Sequence, residues 1–379
     1  MAAFGIPGFI QIFNQSRKQN QRENMPTSKL LSAAGNAELT FKNRVFMAPM
    51  TRARSKDHVA NELTATYYAQ RASAGLIFTE GTQISSQAIG WTNTPGIHTA
   101  EQIAGWKKVT EAVHKAGGLI FAQLWHTGRA SHPDFHGGEL PVAPSAIPFD
   151  SQVFTAEGPK PTVTPRELTI VEIKSTIADY EAAARAAKEA GFDGVEVHGA
   201  NGYLPAQFLE DGPNKRTDEY GGPIENRARF LLEATDAAIS VFGPERVSVR
   251  LSPRIPYNDM GDSNLEQTYM FAVEALEKKK VGILHFMESA NLPEGAKPFA
   301  PEARKRFSGL FVVNVDYDQQ TAEQAIESGL ADAVTFGRLF ISNPDLPERF
   351  RTNAPLAPSD HDTYYSGGEN GYTDYPNLS

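Results

Sequence analysis

The sequence contains no cysteine. Disulfide frameworks, cysteine-ligated zinc or iron–sulfur centres and thiol catalysis are therefore excluded. Basic residues are also the minority, with 36 Lys and Arg against 45 Asp and Glu, and no basic run is long enough to neutralise a series of phosphates. No apolar run approaches the roughly 20 residues of a membrane span. We therefore expect neither nucleic acid nor a membrane as a partner.

The first 27 residues differ in composition from the rest of the chain. A short apolar stretch is followed by Gln, Asn and basic residues, and a second methionine stands at position 25. A secretory signal fits poorly, because its positive charges should precede the apolar stretch. We expect residues 1–27 to be a disordered extension, with organelle targeting by residues 1–24 as the alternative. Residues 28–379 are then expected to form one domain of a cytoplasmic protein.

Short β-rich runs alternate with helix-like stretches along the chain, and several of these stretches end at glycine. The alternation predicts parallel strands joined by helical crossovers. Eight such units favour an α/β fold of the (β/α)8 TIM-barrel type over an open, doubly wound sheet. The predicted strands are 44–50, 76–82, 119–125, 194–200, 247–253, 282–288, 310–316 and 332–338, and helical stretches include 101–115, 173–190, 224–241 and 265–280.

The glycine-rich turns that bind phosphate in other α/β folds are missing. Neither GxGxxG nor GxxxxGK[ST] occurs, so a Rossmann or Walker site has no support. On a TIM barrel the active site lies at the C-terminal ends of the strands. The side chains there include one strong cation, neutral donors, a phenol and imidazoles, which suit a large polar aromatic ligand better than hydrolysis by paired carboxylates. The residues at these ends, few of them aliphatic, are Thr51, Gly81, Thr82, Gln123, Trp125, His126, His198, Asn201, Tyr203, Arg250, Asn314, Val315, Asp316, Gly337 and Arg338.

Seven segments resemble the Old Yellow Enzyme family and occur in the family's order, across roughly residues 28–379. Seven matches in register are highly specific. The resemblance implies a barrel that holds non-covalent FMN and takes electrons from NADPH or NADH. The segments are MAPMTR at 47–52, AQRASAGLIFTEGTQIS at 69–85, FAQLWHTGR at 121–129, GVEVHGANGYLPAQFL at 194–209, RTDEYGGPIENRARF at 216–230, FGRLFISNPDLPERF at 336–350 and GYTDYP at 371–376.

The resemblance also assigns flavin contacts. Thr51 is similar to the family threonine whose hydroxyl meets flavin O4, where the other large branch of the family has cysteine. Gln123 would meet the pyrimidine edge, and Arg250 would stabilise the negative charge of the reduced flavin beside N1 and O2. Arg338 would clamp the phosphate. The full set of expected cofactor-binding residues is Ala48, Pro49, Met50, Thr51, Gly81, Gln123, Arg250, Asn314, Val315, Asp316, Gly337 and Arg338.

The seventh strand departs from the family's commonest pattern. Many relatives have a glycine-rich turn at 314–317, where this chain has Asn-Val-Asp-Tyr. Backbone amides there would have to reach the phosphate without the conformational freedom of glycine. Because a carboxylate beside a phosphate is unfavourable, we expect the side chain of Asp316 to point away.

For catalysis, the resemblance implies an FMN-dependent ene-reductase. His198 and Asn201 would bind the carbonyl or nitro oxygen of an activated alkene (an enone, enal, maleimide or nitroalkene), hydride would reach the β-carbon, and Tyr203 would protonate the α-carbon. By spacing alone, HxxNxY is more typical of a capped helix start with a packed aromatic residue than of a catalytic set. Relatives line the substrate cavity with aromatic side chains where this chain has Trp91, Trp125 and Tyr365.

Several alternatives stay open. The same reduced flavin could denitrate nitrate esters or nitroaromatics, or the chain could be a catalytically idle flavin-binding barrel. A Schiff-base lyase or aldolase is disfavoured, because none of the eight predicted strands contains lysine. Histidines 126, 132 and 136 match no compact zinc motif, so no metal site is expected. The protein is expected to be a monomer or a small homo-oligomer.

Overall fold

A computed structural model describes residues 28–255, 257–292 and 294–378; the expected N-terminal extension, 1–27, lies outside the described residues. Eight parallel strands close into a barrel, which confirms the predicted fold class. Each strand overlaps one of the predicted runs, and the observed strands are shorter at most of their ends. The barrel strands are β1 (Val45–Met47), β2 (Ile77–Gln83), β3 (Ile120–Trp125), β4 (Gly194–Gly199), β5 (Val247–Leu251), β6 (Ile283–Met287), β7 (Leu310–Asn314) and β8 (Ala333–Phe336).

Strands that follow one another in the chain lie side by side, and β8 closes the barrel against β1. The register brings polar residues of neighbouring strands together at the C-terminal end. His198 of β4 is the partner of Arg250 in β5, and Asn314 of β7 is the partner of Thr335 in β8. The polar ends of the strands therefore lie together at one rim of the barrel.

Helices surround the strands and pack on them through a large apolar cluster. Several begin with capping boxes, in which two side chains satisfy the first free N–H groups. Thr99 and Gln102 form one at the start of the helix Ala100–Lys115, and Thr169 and Glu172 form another at the start of the helix Ile170–Glu189. The helices are α1 (Glu62–Gln70), α2 (Ala100–Lys115), α3 (Ile170–Glu189), α4 (Leu204–Leu209), α5 (Ile224–Arg227), α6 (Arg229–Phe242), α7 (Leu265–Lys278), α8 (Ala300–Arg306), α9 (Gln319–Glu327), α10 (Arg338–Ser342) and α11 (Leu346–Thr352).

Two β-hairpins lie outside the barrel sheet, in different parts of the molecule. The first pairs Ala34–Gly35 with Thr40–Phe41, and its Leu39 and Phe41 join a second apolar cluster with residues at the N-terminal strand ends. It therefore closes the base of the barrel. The second hairpin pairs Gln152–Thr155 with Gly158–Pro161 in the long connection between β3 and α3. In the described ranges, every helix is too short or too polar to cross a membrane.

Candidate active site

A cavity of about 770 Å³ opens at the C-terminal ends of the barrel strands. Most of the residues predicted for the site line it, and they come from elements far apart in the sequence. The lining contains fourteen of these residues, namely Ala48, Pro49, Met50, Thr51, Trp91, Asn201, Tyr203, Arg250, Asn314, Val315, Asp316, Gly337, Arg338 and Tyr365. The strand ends thus form one continuous site.

Four predicted residues are absent from this lining and lie in or behind its wall: Gly81, Gln123, Trp125 and His198. A Cβ on Gly81 would lie 2.7 Å from ring atoms of Trp125, so glycine leaves room for the indole. Trp125 lines a smaller neighbouring cavity together with Tyr203. The rings of Trp125 and His198 each pack edge-on against Tyr203, with centroids 5.1 Å apart in both pairs.

A buried polar network supports the floor of the cavity. Glu196 accepts hydrogen bonds from Gln123 Nε2 at 2.8 Å and from Ser248 Oγ at 2.8 Å, and its Oε2 lies 2.9 Å from Nδ1 of His285. Burial opposes ionisation, but His285 and Arg250 together hold the pKa of Glu196 below its ordinary value. Glu196 uses only one N–H of the Gln123 amide, so the amide oxygen and second N–H remain for a ligand.

Arg250 presents a buried cation at the cavity wall. Its Nη2 donates to Asn314 Oδ1 at 2.9 Å, while its Nε has no partner among the described residues. Burial lowers the pKa of Arg250 to about 10, which still leaves it charged at neutral pH. A buried charged donor without a partner is costly, and this one fits a polar or anionic ligand edge.

His198 lies beside Arg250 and is neutral. Burial is the main cause of its pKa lying well below the ordinary value, and the charges of Arg250 and His285 act in the same direction. Its Nδ1 has no hydrogen-bond partner among the described residues. The neutral imidazole of His198 and the unpartnered guanidinium nitrogen of Arg250 therefore lie on neighbouring strands. This is where the resemblance to the family predicts a substrate oxygen and a flavin.

Asn201 and Tyr203 are held by the turn that follows β4. Asn201 has a φ of 56°, a left-handed conformation that asparagine tolerates. Ser252 accepts from its backbone N–H at 2.8 Å, and Asn258 donates to its carbonyl at 2.9 Å. Tyr203 is the N-cap residue of α4, but no side chain caps this helix, so capping does not explain the HxxNxY spacing. Burial raises the pKa of Tyr203, which keeps its phenol protonated.

The turn after β7 brings Asp316 near Arg338, the residue expected to bind the phosphate. The Oδ1 of Asp316 lies 3.6 Å from Nη2 of Arg338, and Ser289 Oγ donates to its Oδ2 at 2.6 Å. Val315 and Asp316 have φ values of 90° and 60°, so the turn adopts the left-handed backbone without glycine. Such a conformation is strained for a β-branched residue, and strain of this kind is concentrated at functional sites.

The cavity also contains aromatic residues that the strand-end pattern missed. Tyr257 lies in the connection after β5, and Tyr364 precedes the predicted Tyr365. Trp91 lies 5.4 Å from Tyr365 and 4.9 Å from Phe154 of the second hairpin, measured between ring centroids. These residues come from loops, whose paths a search confined to strand ends does not follow. Adjacency to Tyr365 was the available signal for Tyr364.

The three histidines of the loop after β3 have protein partners or are enclosed. His136 Nε2 lies 2.8 Å from Ser131 Oγ, and His132 Nδ1 lies 3.0 Å from Asp134. His126 is buried, and its Nδ1 accepts from the Gly128 N–H at 3.1 Å. Across the described segments, no three or more His, Asp or Glu side chains are grouped so as to hold a metal ion.

A TIM barrel with a cation, an imidazole and a phenol around one large cavity defines a barrel enzyme that binds a polar aromatic cofactor. The chain belongs to the NADH:flavin oxidoreductase / NADH oxidase family, the family of Old Yellow Enzyme, whose family model matches residues 34–357. It is therefore an NAD(P)H:flavin oxidoreductase.

Relatives match along nearly their whole length. Putative 12-oxophytodienoate reductase 5 of Oryza sativa subsp. japonica is 44% identical over 370 residues, covering 93% of this chain and 96% of that protein. The structure of morphinone reductase in complex with tetrahydroNAD is 48% identical with a TM-score of 0.89, covering 93% and 98%. The Old Yellow Enzyme homologue from Zymomonas mobilis is 46% identical with a TM-score of 0.90, covering 92% and 100%.

Proposed function

We propose that this protein is an FMN-dependent ene-reductase that uses NADPH or NADH to reduce the C=C bond of an enone, enal, maleimide or nitroalkene. The observation that carries the proposal is that Tyr203, Asn201 and Arg250 line one cavity, while His198 packs against Tyr203 and is the strand partner of Arg250. The names of the relatives, reductases of 12-oxophytodienoate and of morphinone, support a reductase of this kind.

The cavity residues fit FMN in their chemistry. Arg250 has a buried N–H without a partner, Gln123 retains free amide atoms, and Arg338 is an exposed cation at the far rim. Arg250 and Gln123 would hold the polar edge of the ring system, Thr51 would donate to it, and Arg338 would bind the phosphate. When bound, FMN supplies the hydride that it has accepted from the nicotinamide nucleotide.

The substrate oxygen would bind to His198 and Asn201. Because burial and the neighbouring cation hold the pKa of His198 low, its imidazole acts as a neutral donor that keeps its proton. Negative charge develops on this oxygen during hydride transfer, and donors fixed in advance stabilise it by about 3 kcal/mol each. The turn backbone, held through Ser252 and Asn258, keeps Asn201 in place without reorganisation.

Tyr203 would supply the proton. Its raised pKa leaves the hydroxyl protonated across the neutral range, and the α-carbon of the enolate formed from an enone or enal is a far stronger base. The rings of Trp125 and His198 hold the phenol from two sides. General acid catalysis by such a group accelerates the step by roughly 10²- to 10⁴-fold.

The half-reactions test this assignment. In Tyr203→Phe, we expect reduction of the flavin by nicotinamide nucleotide to stay near the wild-type rate, whereas reoxidation by 2-cyclohexenone slows by roughly 10²-fold or more. Stopped-flow absorbance at the flavin band measures both steps. Tyr257→Phe is the matched control, because it removes another phenol from the same cavity and should change reoxidation by less than about threefold.

Three results would count against the proposal. A purified protein that is colourless and takes up no added FMN would show that FMN is not the cofactor. Unchanged enone reduction in Tyr203→Phe would mean that another group delivers the proton, and equal slowing of both half-reactions would indicate a disturbed flavin pocket.

A further inference from the structure

Arg54 lies four residues beyond the end of the first predicted strand, 44–50. Its side chain binds a C-terminal segment instead of an acidic side chain. We call residues 363–371 the C-terminal turn. The guanidinium of Arg54 donates to main-chain carbonyls of this turn through Nε, Nη1 and Nη2, and Arg54 forms no ion pair among the described residues. The accepting carbonyls are Thr363 at 2.7 Å, Tyr364 at 2.9 Å, Gly368 at 3.0 Å, Asn370 at 3.1 Å and Ser366.

A second arginine reinforces the attachment. Arg52 Nε donates to the Tyr364 carbonyl at 3.1 Å, and its Nη2 donates to the Gly371 carbonyl at 2.7 Å. Both arginines follow Thr51, which lines the cavity at the end of β1. Burial and the neighbouring charge of Arg52 lower the pKa of Arg54. Besides the carbonyls, Arg52 Nη1 donates to the Tyr67 hydroxyl at 3.0 Å, and both guanidinium groups lie over the Tyr372 ring. The C-terminal turn is therefore fastened to the cavity rim.

Within the C-terminal turn, Thr363 alone belongs to a regular element, the 3₁₀ helix His361–Thr363. Gly367, Gly368 and Gly371 have φ values of 108°, 60° and 64°. A Cβ on Gly371 would overlap the Thr363 side chain, so this close approach requires glycine. A segment with inward-facing carbonyls depends on outside donors, and Arg54 provides several of them in one plane.

This turn carries part of the cavity wall. Tyr364 and Tyr365 both line the cavity, and Tyr365 packs against Trp91 although it is 49% exposed. A half-exposed ring whose aromatic neighbours are Trp91 and the adjacent Tyr364 is placed largely by its backbone. The backbone at Tyr364 is the point where Arg52 and Arg54 both donate.

We propose that Arg54 is a positioning residue for substrate binding: by holding the C-terminal turn, it sets the Tyr365 wall against Trp91 and thereby the affinity for substrates large enough to reach that wall. The proposal rests on the proposed function, since it takes this cavity to be the substrate site. It concerns substrate size and not the chemical step, because Arg54 itself is absent from the cavity lining.

The test compares Arg54→Gln, Tyr365→Ala and the double variant, with 2-cyclohexenone and a bulkier two-ring enone as substrates. We expect each single variant to raise KM for the bulky enone by about tenfold with kcat within about twofold, and KM for 2-cyclohexenone to change by less than about threefold. The double variant should be no worse than either single variant, because both remove the same wall. Arg54→Lys keeps the charge but not the planar donors, and should resemble Arg54→Gln.

Arg44→Gln is the matched control. Arg44 also donates to carbonyls, those of Asp332 and Ala33, but near the base of the barrel, and its loss should leave both KM values unchanged. Additive effects in the double variant, or equal KM changes for both enones, would overturn the inference. If Arg54→Gln does not fold, the Arg54→Lys comparison decides. A wild-type protein that reduces neither enone would instead contradict the proposed function.

Discussion

Asp316 places a negative charge where the phosphate of FMN is expected. Its carboxylate is 38% exposed and lies 3.6 Å from a guanidinium that is 75% exposed. An ion pair this open contributes about 0–1 kcal/mol, because water screens it. A phosphate bound to Arg338 would nevertheless have to displace this carboxylate or lie beside it. Asp316 would therefore compete with such a phosphate for Arg338.

We accordingly expect Asp316→Asn to bind FMN about three- to tenfold more tightly than the wild-type protein, since removing the carboxylate frees Arg338 and removes a repulsion. Riboflavin lacks the phosphate and should bind both proteins equally. Titration of apoprotein with each flavin, followed by fluorescence quenching, gives the dissociation constants. An equal gain for riboflavin would show that the substitution acts on the ring pocket instead.

The orientation of individual side chains is the feature that the sequence predicted least well. The strand-end rule brings most of the chosen residues to one cavity, because it depends only on where a parallel strand ends. It does not say which way Asp316 turns, since that depends on Ser289 and Arg338, which lie in other parts of the chain. Apart from Gln123, the members of the network around Glu196 were also missed, because they lie within the predicted strands and not at their ends.

At the scale of elements, the alternation of strand and helix was sufficient to predict the barrel. Each βα unit carries its own local signals, so errors stay at the ends of elements. The run 310–316 is an instructive case: strand β7 ends at Asn314, although valine favours strands. Val315 instead takes a positive φ, and its carbonyl accepts from the Ala290 N–H at 3.1 Å. A contact distant in sequence overrides the local preference.

The junction of β2 and β3 offers a test of element packing. Their register shifts between Phe78 and Gly81, and the Trp125 indole lies over Gly81. We expect Gly81→Ala to destabilise the fold by about 1–3 kcal/mol, because the new methyl group must displace a buried ring. Gly261→Ala adds a methyl group in open space and should change stability by less than about 0.5 kcal/mol. Urea unfolding midpoints compare the two; equal shifts would mean that Trp125 moves without cost.

At the scale of the whole molecule, one end of the barrel maintains the fold and the other carries the site. The hairpin bearing Leu39 and Phe41 fills the base with apolar side chains. At the opposite rim, the chain returns from its C-terminal part to cover the cavity, attached through Arg52 and Arg54. These long-range attachments have no signature in local sequence periodicity, which is why the C-terminal turn could be placed only by its resemblance to relatives.

A buried carboxylate lies beneath this attachment. Glu80 of β2 accepts from the backbone N–H groups of Arg52 at 3.1 Å and Ala53 at 3.4 Å, while its Oε1 has no partner among the described residues. Burial raises the pKa of Glu80 to about 7 from an ordinary value of 4.5, although the N–H and the charge of Arg52 oppose the shift. The fold thus favours the protonated form of Glu80.

The direction of the pH dependence follows from this shift. Between pH 4.5 and about 7 the folded chain holds a proton on Glu80 that the unfolded chain has released, so the contribution of Glu80 to stability falls as pH rises through that window. We expect Glu80→Gln, which cannot ionise, to gain about 1–3 kcal/mol in unfolding free energy relative to wild type between about pH 5 and pH 8.

Taking the difference between the two proteins cancels other titrating groups, such as Glu210, whose pKa burial also raises to about 7. Glu139→Gln, at an exposed carboxylate without a hydrogen bond or ion pair in the described structure, controls for the loss of one charge and should show no such change. Urea unfolding at several pH values measures the difference, and a constant difference from pH 5 to 8 would mean that Glu80 stays ionised in the fold, held by Arg52.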